Sequence, residues 1–328
     1  MLEGKSALIT GSLDGIGYAI ARALAAKGVS VMLNGFGEQA LIDERVATLR
    51  GMGVDAHYHG ADLSQPDQIE DLFRTAEQRF GKVDIAVNNA VTRTWGFIDE
   101  LPVEKWNYAL AVNLSAPFHV IRLAMPGMKK RQWGRIINLA SNYGIAGTAR
   151  RADYVSTKHG LVGLTKVAAL EGLPYNITAN AICPGATLTP NARKLVAQRM
   201  AAKGLSEEDA TTDYLSDRQP SRRFIAPEKV GALAAFLCSD DADEITGTPA
   251  ATRGSGCPCA APRERSAPPA LPLRRPCDAS PQEKAIQPPS MVTGEPVISL
   301  AASLHRNAAS APTFSAGMKR REGWRSER

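Results

Sequence analysis

Apolar and polar residues follow two patterns along the first 248 residues of the chain. Short runs such as residues 85–87 are apolar throughout, which is typical of strands covered on both faces of a parallel sheet. Between them lie stretches in which apolar residues recur every three or four positions, as on one face of a helix. We predict strands at residues 5–10, 29–34, 54–59, 83–88, 134–140 and 176–182, and helices at 15–27, 38–51, 66–80, 103–131, 152–172, 190–217 and 227–238.

The regular alternation of strands and helices predicts the fold class. Parallel strands joined by right-handed helical crossovers form a sheet between two layers of helices. We therefore expect an α/β fold with a doubly wound, Rossmann-type parallel sheet and a three-layer αβα architecture. Ligands of such folds bind at the carboxyl ends of the strands.

The composition changes at residue 249. The last 80 residues hold 12 of the 21 prolines, and apolar periodicity is lost there apart from residues 296–300. They also hold 12 Lys and Arg against 6 Asp and Glu, so this segment carries the whole net charge of +6. We expect one domain at residues 1–248 and a disordered tail at 249–328, because the tail can bury too little apolar surface to fold.

Composition also disfavours several classes of protein. No apolar run approaches 18 residues, so we expect no transmembrane helix, and the first strand begins too early for a signal peptide. We expect a cytoplasmic protein with reduced thiols. Cys257 and Cys259 have no second cysteine pair or histidine nearby, so we expect no metal site. The other cysteines are Cys183, Cys238 and Cys277.

A glycine-rich turn joins the first strand to the first helix. Residues 10–17 contain Gly11, Gly15 and Gly17, a spacing that differs from the common dinucleotide fingerprint. Glycines let backbone N–H groups approach a pyrophosphate, and the helix N-terminus adds the positive end of its dipole. The turn therefore predicts a dinucleotide site.

Two polar residues four apart on a helix provide candidate acid–base chemistry. Tyr154 and Lys158 share one face of the predicted helix at 152–172. A nearby ammonium group favours the phenolate and lowers the pKa of a tyrosine, which is otherwise about 10. Tyr154 can then take a proton from an alcohol while hydride leaves the carbon.

Ser141 and Asn113 are polar residues at the end of a predicted strand and within a predicted helix, respectively. Ser141 ends the predicted strand at 134–140, where its hydroxyl can donate a hydrogen bond to a substrate oxygen or form a turn. Asn113 lies within a predicted helix, although Asn is a poor helix former. Ser141 is therefore a candidate catalytic residue beside Tyr154 and Lys158, whereas Asn113 either faces solvent or has a role that the helix pattern alone does not show.

The combination of these motifs resembles the short-chain dehydrogenase/reductase family over about residues 4–248. The matching positions are the turn at 11–17, Asp62 and Leu63, residues 88–90, Asn113, Ser141, Tyr154 with Lys158, and Pro184 with Gly185. Within that family, residues 33–37, 158–160, 219–221 and 245–248 are most similar to 3-hydroxybutyrate dehydrogenases. The resemblance implies a nicotinamide-dependent oxidoreductase that forms a homo-oligomer, commonly a homotetramer.

The resemblance also implies roles for individual residues. Lys158 would bind the nicotinamide ribose, Asn113 would hold a water in a proton relay, and Asp62 would contact adenine. The cofactor-binding set that it implies is Gly11, Leu13, Asp14, Gly15, Ile16, Gly17, Asn34, Phe36, Asp62, Leu63, Asn89, Ala90, Tyr154, Lys158, Pro184, Gly185, Thr187 and Thr189.

The family usually ends in a further strand, which the residues after Thr248 do not resemble. One hypothesis is that the reading frame changes near residue 248. Loss of that strand would leave the sheet edge near Ile245 unpaired and weaken assembly.

Charge near the turn favours NAD over NADP. Residues 12–14 and 34–37 contain no cation, and Asp14 would repel a 2′-phosphate. Asn34 stands where the family usually has an acid on the ribose, and its amide can still bond to hydroxyls.

Candidate substrate residues point to an acid. Arg93 and Arg151 suit a carboxylate, which arginine binds bidentately, and Ala186 enlarges the pocket. The substrate set is Arg93, Ser141, Tyr143, Arg151, Tyr154 and Ala186. We expect interconversion of a 3-hydroxy acid and its 3-oxo acid.

Three alternatives remain open at this point. The enzyme could act on a bulkier secondary alcohol or a 3-oxoacyl compound, or the chain could be an inactive nucleotide-binding protein. Nucleic-acid binding through the basic tail, which includes residues 319–321, is disfavoured because few aromatic residues accompany the charges.

Overall fold

A parallel sheet with helices on both faces forms the body of the protein. The computed structural model describes residues 2–216, 219 and 221–252. The strands are β1 (Ser6–Ile9), β2 (Ser30–Asn34), β3 (Ala56–His59), β4 (Ile85–Asn88), β5 (Gly134–Leu139), β6 (Ile177–Cys183) and β7 (Pro249–Ala251). Their order is β3-β2-β1-β4-β5-β6-β7, and every pairing is parallel. The predicted fold class is confirmed.

Nine α-helices connect and flank these strands in the described part of the chain. They are α1 (Gly15–Ala25), α2 (Gln39–Arg50), α3 (Pro66–Phe80), α4 (Val103–Leu110), α5 (Ala116–Arg131), α6 (Ala152–Gly172), α7 (Pro190–Lys203), α8 (Glu207–Ser216) and α9 (Pro227–Cys238). The six predicted strands and most predicted helices are found within two residues of the expected ends.

Two predicted helices are in fact interrupted. The helix expected at 103–131 contains a π-helical turn at Ala111–Ser115, between α4 and α5. Pro117, at the start of α5, has no N–H to donate to the carbonyl of Asn113, four residues earlier, so one α-helical hydrogen bond is missing at this point. The helix expected at 190–217 ends at Gly204, whose φ of 64° is left-handed, and resumes as α8.

The expected loss of the final strand is wrong. β7 pairs with β6 through Ala181, Ile182 and Cys183, although the strand is only three residues long. The side chain of Asn180 holds the approach to this strand, donating to the carbonyl of Ile245 at 2.6 Å and accepting from the N–H of Thr248 at 3.3 Å. Because Pro249 begins the strand and lies on the sheet edge, its missing N–H interrupts little of the ladder.

Two apolar cores lie on opposite faces of the sheet. Alternate residues of β1 divide between them, with Ile9 in the core under α1 and α9 and Leu8 in the core under α3 and α5. This burial on both faces explains why the strands read as continuous apolar runs. No helix in the described ranges is long and apolar enough to cross a membrane.

Candidate active site

A cleft of about 350 Å³ opens at the carboxyl ends of the strands. The glycine turn, the ends of β4, β5 and β6 and the first half of α6 contribute to its wall. The predicted site residues that line it are Gly11, Asp14, Gly15, Ile16, Asn89, Ala90, Arg93, Ser141, Tyr143, Arg151, Tyr154, Lys158, Pro184, Gly185, Ala186, Thr187 and Thr189. Predicted residues outside this wall are Leu13, Gly17, Asn34, Phe36, Asp62, Leu63 and Asn113.

The glycine turn is packed so closely that side chains would not fit. Gly11 and Gly15 have φ values of 59° and 51°, in the left-handed region. A Cβ on Gly17 would lie 2.3 Å from the carbonyl oxygen of Gly11 and 2.5 Å from Nδ2 of Asn89. The side chain of Asp14, which precedes α1, does not cap that helix. The uncapped N–H groups and the bare backbone fit the pyrophosphate of a dinucleotide.

Polar side chains fasten the turn to the neighbouring strand ends. Nδ2 of Asn89 donates to the carbonyl oxygens of Thr10 at 3.1 Å and Gly11 at 2.6 Å. The hydroxyl of Thr10 accepts from the N–H groups of Asn89 and Ala90. Asn89 therefore contributes to the site mainly by fixing the turn.

Asn34 lies beneath the glycine turn and bonds to the backbone there. Its side chain is buried, and Nδ2 donates to the carbonyls of His59 and Ala61, both at 3.0 Å. Oδ1 faces the N–H of Gly11 at 3.4 Å. The amide hydrogens are therefore already used beneath the turn. The expected contact of Asn34 with the cofactor ribose stays a prediction.

Residues around the far end of the turn shape the region beside Asp14. Leu13 packs against Gly35 and Gly37, Phe36 is 70% exposed, and the hydroxyl of Tyr58 donates to the carbonyl of Gly35 at 2.6 Å. Asp62 accepts from the N–H of Ser64 in a tight turn after β3. Leu63 is buried in the core under α3.

One cation near the turn was missed by sequence reasoning. Arg45, on α2, donates from Nε to the carbonyl oxygen of Leu13 at 3.1 Å and pairs with Glu44 at 2.9 Å. Its guanidinium group also lies over the ring of Tyr18. The sequence separation of 32 residues gave no signal that α2 would bring a charge to this position.

Tyr154 and Lys158 lie together in the cleft, as predicted from their spacing on α6. The Lys158 Nζ atom lies 5.7 Å from the centre of the Tyr154 ring and donates to the carbonyl of Leu139. Burial, with a smaller contribution from the charge of Arg93, lowers the pKa of Lys158 to about 7. Ser141 lies at the end of β5, where its hydroxyl donates to Oδ1 of Asn142 at 2.9 Å and accepts from the N–H of Tyr143.

Asn113 lies in the π-helical turn, fully buried behind the cleft. Its Oδ1 atom accepts from the N–H of Thr92 at 2.8 Å, and its Nδ2 atom donates to the carbonyl of the same residue at 2.8 Å. Nδ2 also lies 3.2 Å from the hydroxyl of Thr157. The side chain thus holds a loop, and its expected part in a proton relay stays a prediction.

The substrate side of the cleft is built from exposed loops and side chains. Arg151 lies over the ring of Trp95 at 4.5 Å, and the rings of Tyr143 and Tyr154 meet edge to face at 6.5 Å. The N–H of Ala186 donates to Oε1 of Gln219 at 2.6 Å. Sequence reasoning missed Asn191 on α7 and Tyr214 on α8, which also line this side, because neither belongs to a recognisable motif.

Some sequence predictions lie outside the described residues. They are the disordered tail beyond residue 252, the cysteines Cys257, Cys259 and Cys277, and the basic segment at 319–321. Within the described ranges, Cys183 and Cys238 are buried and form no disulfide, and no cluster of His, Cys, Asp and Glu could hold a metal ion.

The chain is similar in sequence to a known protein family and to three known proteins. The short chain dehydrogenase family matches residues 5–200. D-beta-hydroxybutyrate dehydrogenases of Cupriavidus necator and Rhizobium meliloti are 47% and 45% identical over 247 residues, covering 75% and 74% of this chain and 95% of each relative. The structure of L-sorbose reductase from Gluconobacter frateurii, complexed with NADPH and L-sorbose, is 30% identical with a TM-score of 0.73, covering 77% of this chain and 96% of the reductase.

Proposed function

The chain belongs to the short-chain dehydrogenase family, and from this premise we propose that it interconverts a 3-hydroxy acid and its 3-oxo acid with NAD as cofactor. One observation carries the proposal. Tyr154, Lys158 and Ser141 share a single cleft with Arg93 and Arg151, so proton-transfer groups lie beside two cations that suit a carboxylate. The names of the two hydroxybutyrate dehydrogenases support the same substrate class.

The catalytic residues of this chain handle the proton. In the oxidative direction the Oη atom of Tyr154 takes the proton of the substrate hydroxyl, and in reverse it returns that proton to the carbonyl oxygen. The protonated form of Lys158 stabilises the phenolate of Tyr154. The hydroxyl of Ser141 turns from Asn142 toward the substrate oxygen and orients it. NAD, when bound, supplies the acceptor for the hydride that leaves the substrate carbon.

The proposed cofactor site is the backbone cradle at the glycine turn. Gly11, Gly15 and the N-terminus of α1 would hold the pyrophosphate, and Lys158 would bond to the nicotinamide ribose. The preference for NAD rests on Asp14, which would repel a 2′-phosphate, and on the pairing of Arg45 with Glu44. The related L-sorbose reductase contains NADPH, so the family fold alone does not decide this preference.

A second candidate substrate is a bulkier secondary alcohol or a 3-oxoacyl compound. The observation in its favour is the small side chain of Ala186, which lines the cleft together with Asn191 and Tyr214. Such a wall leaves room for a chain longer than four carbons.

A substrate panel separates the two candidates. The full chain is assayed with 3-hydroxybutyrate, longer 3-hydroxy acids and neutral secondary alcohols, each with NAD and with NADP, by absorbance of the reduced cofactor. We expect the highest kcat/KM for a 3-hydroxy acid with NAD. Highest activity with neutral alcohols would favour the bulkier-alcohol alternative, and a preference for NADP would contradict the proposed cofactor.

We also propose that the chain forms a homo-oligomer. Large apolar side chains on α5 and α6 are exposed in the single chain, among them Phe118, Val167 and Leu170. Measurement of mass in solution tests this proposal. A monomer at micromolar concentration would contradict it.

A further inference from the structure

Arg93 lies in a loop that is held on both sides by buried side chains. This loop, residues 91–98, follows β4, and Val91 and Arg93 within it line the cleft. Asn113 is fully buried and makes two 2.8 Å hydrogen bonds with the backbone of Thr92. Asp153 is 1% exposed, and its Oδ2 atom accepts from the N–H of Thr94 at 2.8 Å. Arg93 is the single residue between the two anchored positions.

These bonds fix the two peptide planes that flank the Cα atom of Arg93. The carbonyl of Thr92 belongs to the first plane and accepts from Asn113. The N–H of Thr94 belongs to the second plane and donates to Asp153. Since two backbone dihedrals set the direction of a side chain from its Cα atom, fixing both planes restricts where the Arg93 side chain can point.

The two anchors are also joined to each other and to the catalytic helix. The other carboxylate oxygen of Asp153 accepts from the N–H of Tyr154 at 2.7 Å. The hydroxyl of Thr157 donates to the carbonyl of Asp153 at 2.7 Å and lies 3.2 Å from Nδ2 of Asn113. Hydrogen bonds therefore connect the loop to the segment of α6 that carries Tyr154.

Arg93 itself lies where this placement matters. It lines the cleft, and its charge contributes to the lowered pKa of Lys158. No acidic side chain forms an ion pair with Arg93 within the described ranges. A cation in this situation is suited to an acidic ligand that reaches the cleft.

We infer that Asp153 is a positioning residue that, together with Asn113, holds Arg93 in place to bind the carboxylate of the substrate. This inference rests on the proposed function, in which Arg93 binds that carboxylate. Asp153 does not line the cleft and acts through the loop. An aspartate suits the task because both of its oxygens accept, and each faces a backbone N–H.

The test uses Asp153→Asn, which keeps the volume but turns one of the two acceptors into a donor. We expect KM for 3-hydroxybutyrate to rise about tenfold, because a displaced Arg93 loses its charge-assisted bond, while kcat changes less than about threefold. KM for a neutral secondary alcohol should stay unchanged. Asp99→Asn is the matched control. Asp99 is an exposed residue directly after the loop, so this variant removes the same charge and should alter neither kcat nor KM.

A double-mutant comparison separates failure of the inference from failure of the proposed function. If Arg93→Ala raises KM selectively for acids and Asp153→Asn adds nothing in that background, the inference is supported. If Arg93→Ala is selective and Asp153→Asn is not, the inference is overturned and the proposed function stands. If Arg93→Ala affects acids and neutral alcohols equally, the carboxylate role of Arg93 fails, and the inference fails with it.

A second measurement needs no variant and covers the case in which Asp153→Asn does not fold. Residue-resolved hydrogen exchange of the wild-type chain should show the amides of Thr92 and Thr94 exchanging at least about tenfold more slowly than those of Arg93 and Trp95, because only the first two donate to buried acceptors. Equal exchange at all four amides would overturn the inference.

Discussion

The two walls of the cleft differ in whether backbone or side chains line them. The cofactor wall consists mostly of backbone. Gly11 and Gly15 line it, and Gly17 packs against Gly11 so closely that an added carbon on Gly17 would overlap the carbonyl oxygen of Gly11. The substrate wall consists of side chains on loops and on α6, among them Arg93 and Arg151. A wall of backbone fixes one ligand shape, whereas a wall of side chains can change its ligand without changing the fold.

This difference separates two tasks within the proposed function. The glycine turn, the strand ends and the Tyr154–Lys158 pair would bind the dinucleotide and transfer the proton. The substrate wall can then differ from protein to protein at positions such as Tyr143 and Ala186. Changes on the first wall should therefore remove function, and changes on the second should redirect it.

The largest effect is expected at the junction of the two walls. Tyr154→Phe removes the hydroxyl that carries the proton and keeps the ring in contact with Tyr143. We expect turnover to fall by at least about 100-fold, within the usual range for general acid–base catalysis, while cofactor binding survives. Turnover is measured by absorbance of the reduced cofactor, and binding by titration. A folded variant with nearly wild-type turnover would exclude Tyr154 from this role.

A smaller but still severe effect is expected from the backbone wall. Gly17→Ala places a Cβ 2.3 Å from a backbone oxygen, so the turn must shift, at a cost of roughly 1–3 kcal/mol in stability. NAD binding should weaken with it. Melting temperature and the Kd for NAD are the measurements.

Gly163→Ala on α6 is the matched control for that substitution. A Cβ there meets no atom within 4 Å, so alanine should be neutral or stabilise the helix by roughly 0.5–1 kcal/mol. If Gly17→Ala behaves like Gly163→Ala, the backbone wall is not tightly packed.

The buried Lys158 should make the stability of the cofactor-free protein depend on pH. Its pKa is about 7 in the folded state against 10.5 in the reference state, so the unfolded chain binds more protons between these values. Through this residue, the free energy of unfolding should therefore rise as the pH increases from about 7 to about 10. This gain in stability is lost again as the pH falls toward 7. Melting temperatures of the wild type and Lys158→Met should converge as the pH rises. Parallel curves would contradict the lowered pKa.

The smallest expected effect concerns cofactor choice. Asp14→Arg exchanges a repelling charge for an attracting one beside the uncapped start of α1, so kcat/KM with NADP should rise at least about tenfold through a charge-assisted bond. Asp14→Asn, which removes the repulsion alone, should give a smaller gain. If both variants leave the ratio of NADP to NAD activity unchanged, Asp14 does not set the preference.

Local and long-range contacts differ in how well the sequence predicted them. The glycine turn and Tyr154 with Lys158 could be placed because local spacing determines which residues share a turn or a helix face. Arg45 and Asp153 were missed because their contacts depend on how α2 and the loop after β4 pack, which no local pattern encodes. The backbone bonds of Asn34 were also missed, since a strand-end amide can bond to the backbone as readily as to a ligand. β7 was missed because its three residues, Pro249, Ala250 and Ala251, lack the apolar pattern of the other strands.

The central claim is that the substrate wall recognises an acid, and a matched pair of substrates tests it most directly. 3-Hydroxybutyrate and its methyl ester share the reacting alcohol and differ in the carboxylate charge. We predict that kcat/KM with NAD is at least about tenfold higher for the acid in the wild type, and that Arg93→Ala reduces this ratio toward one, because the charge-assisted bond is lost. Equal activity on the acid and the ester in the wild type would contradict the account.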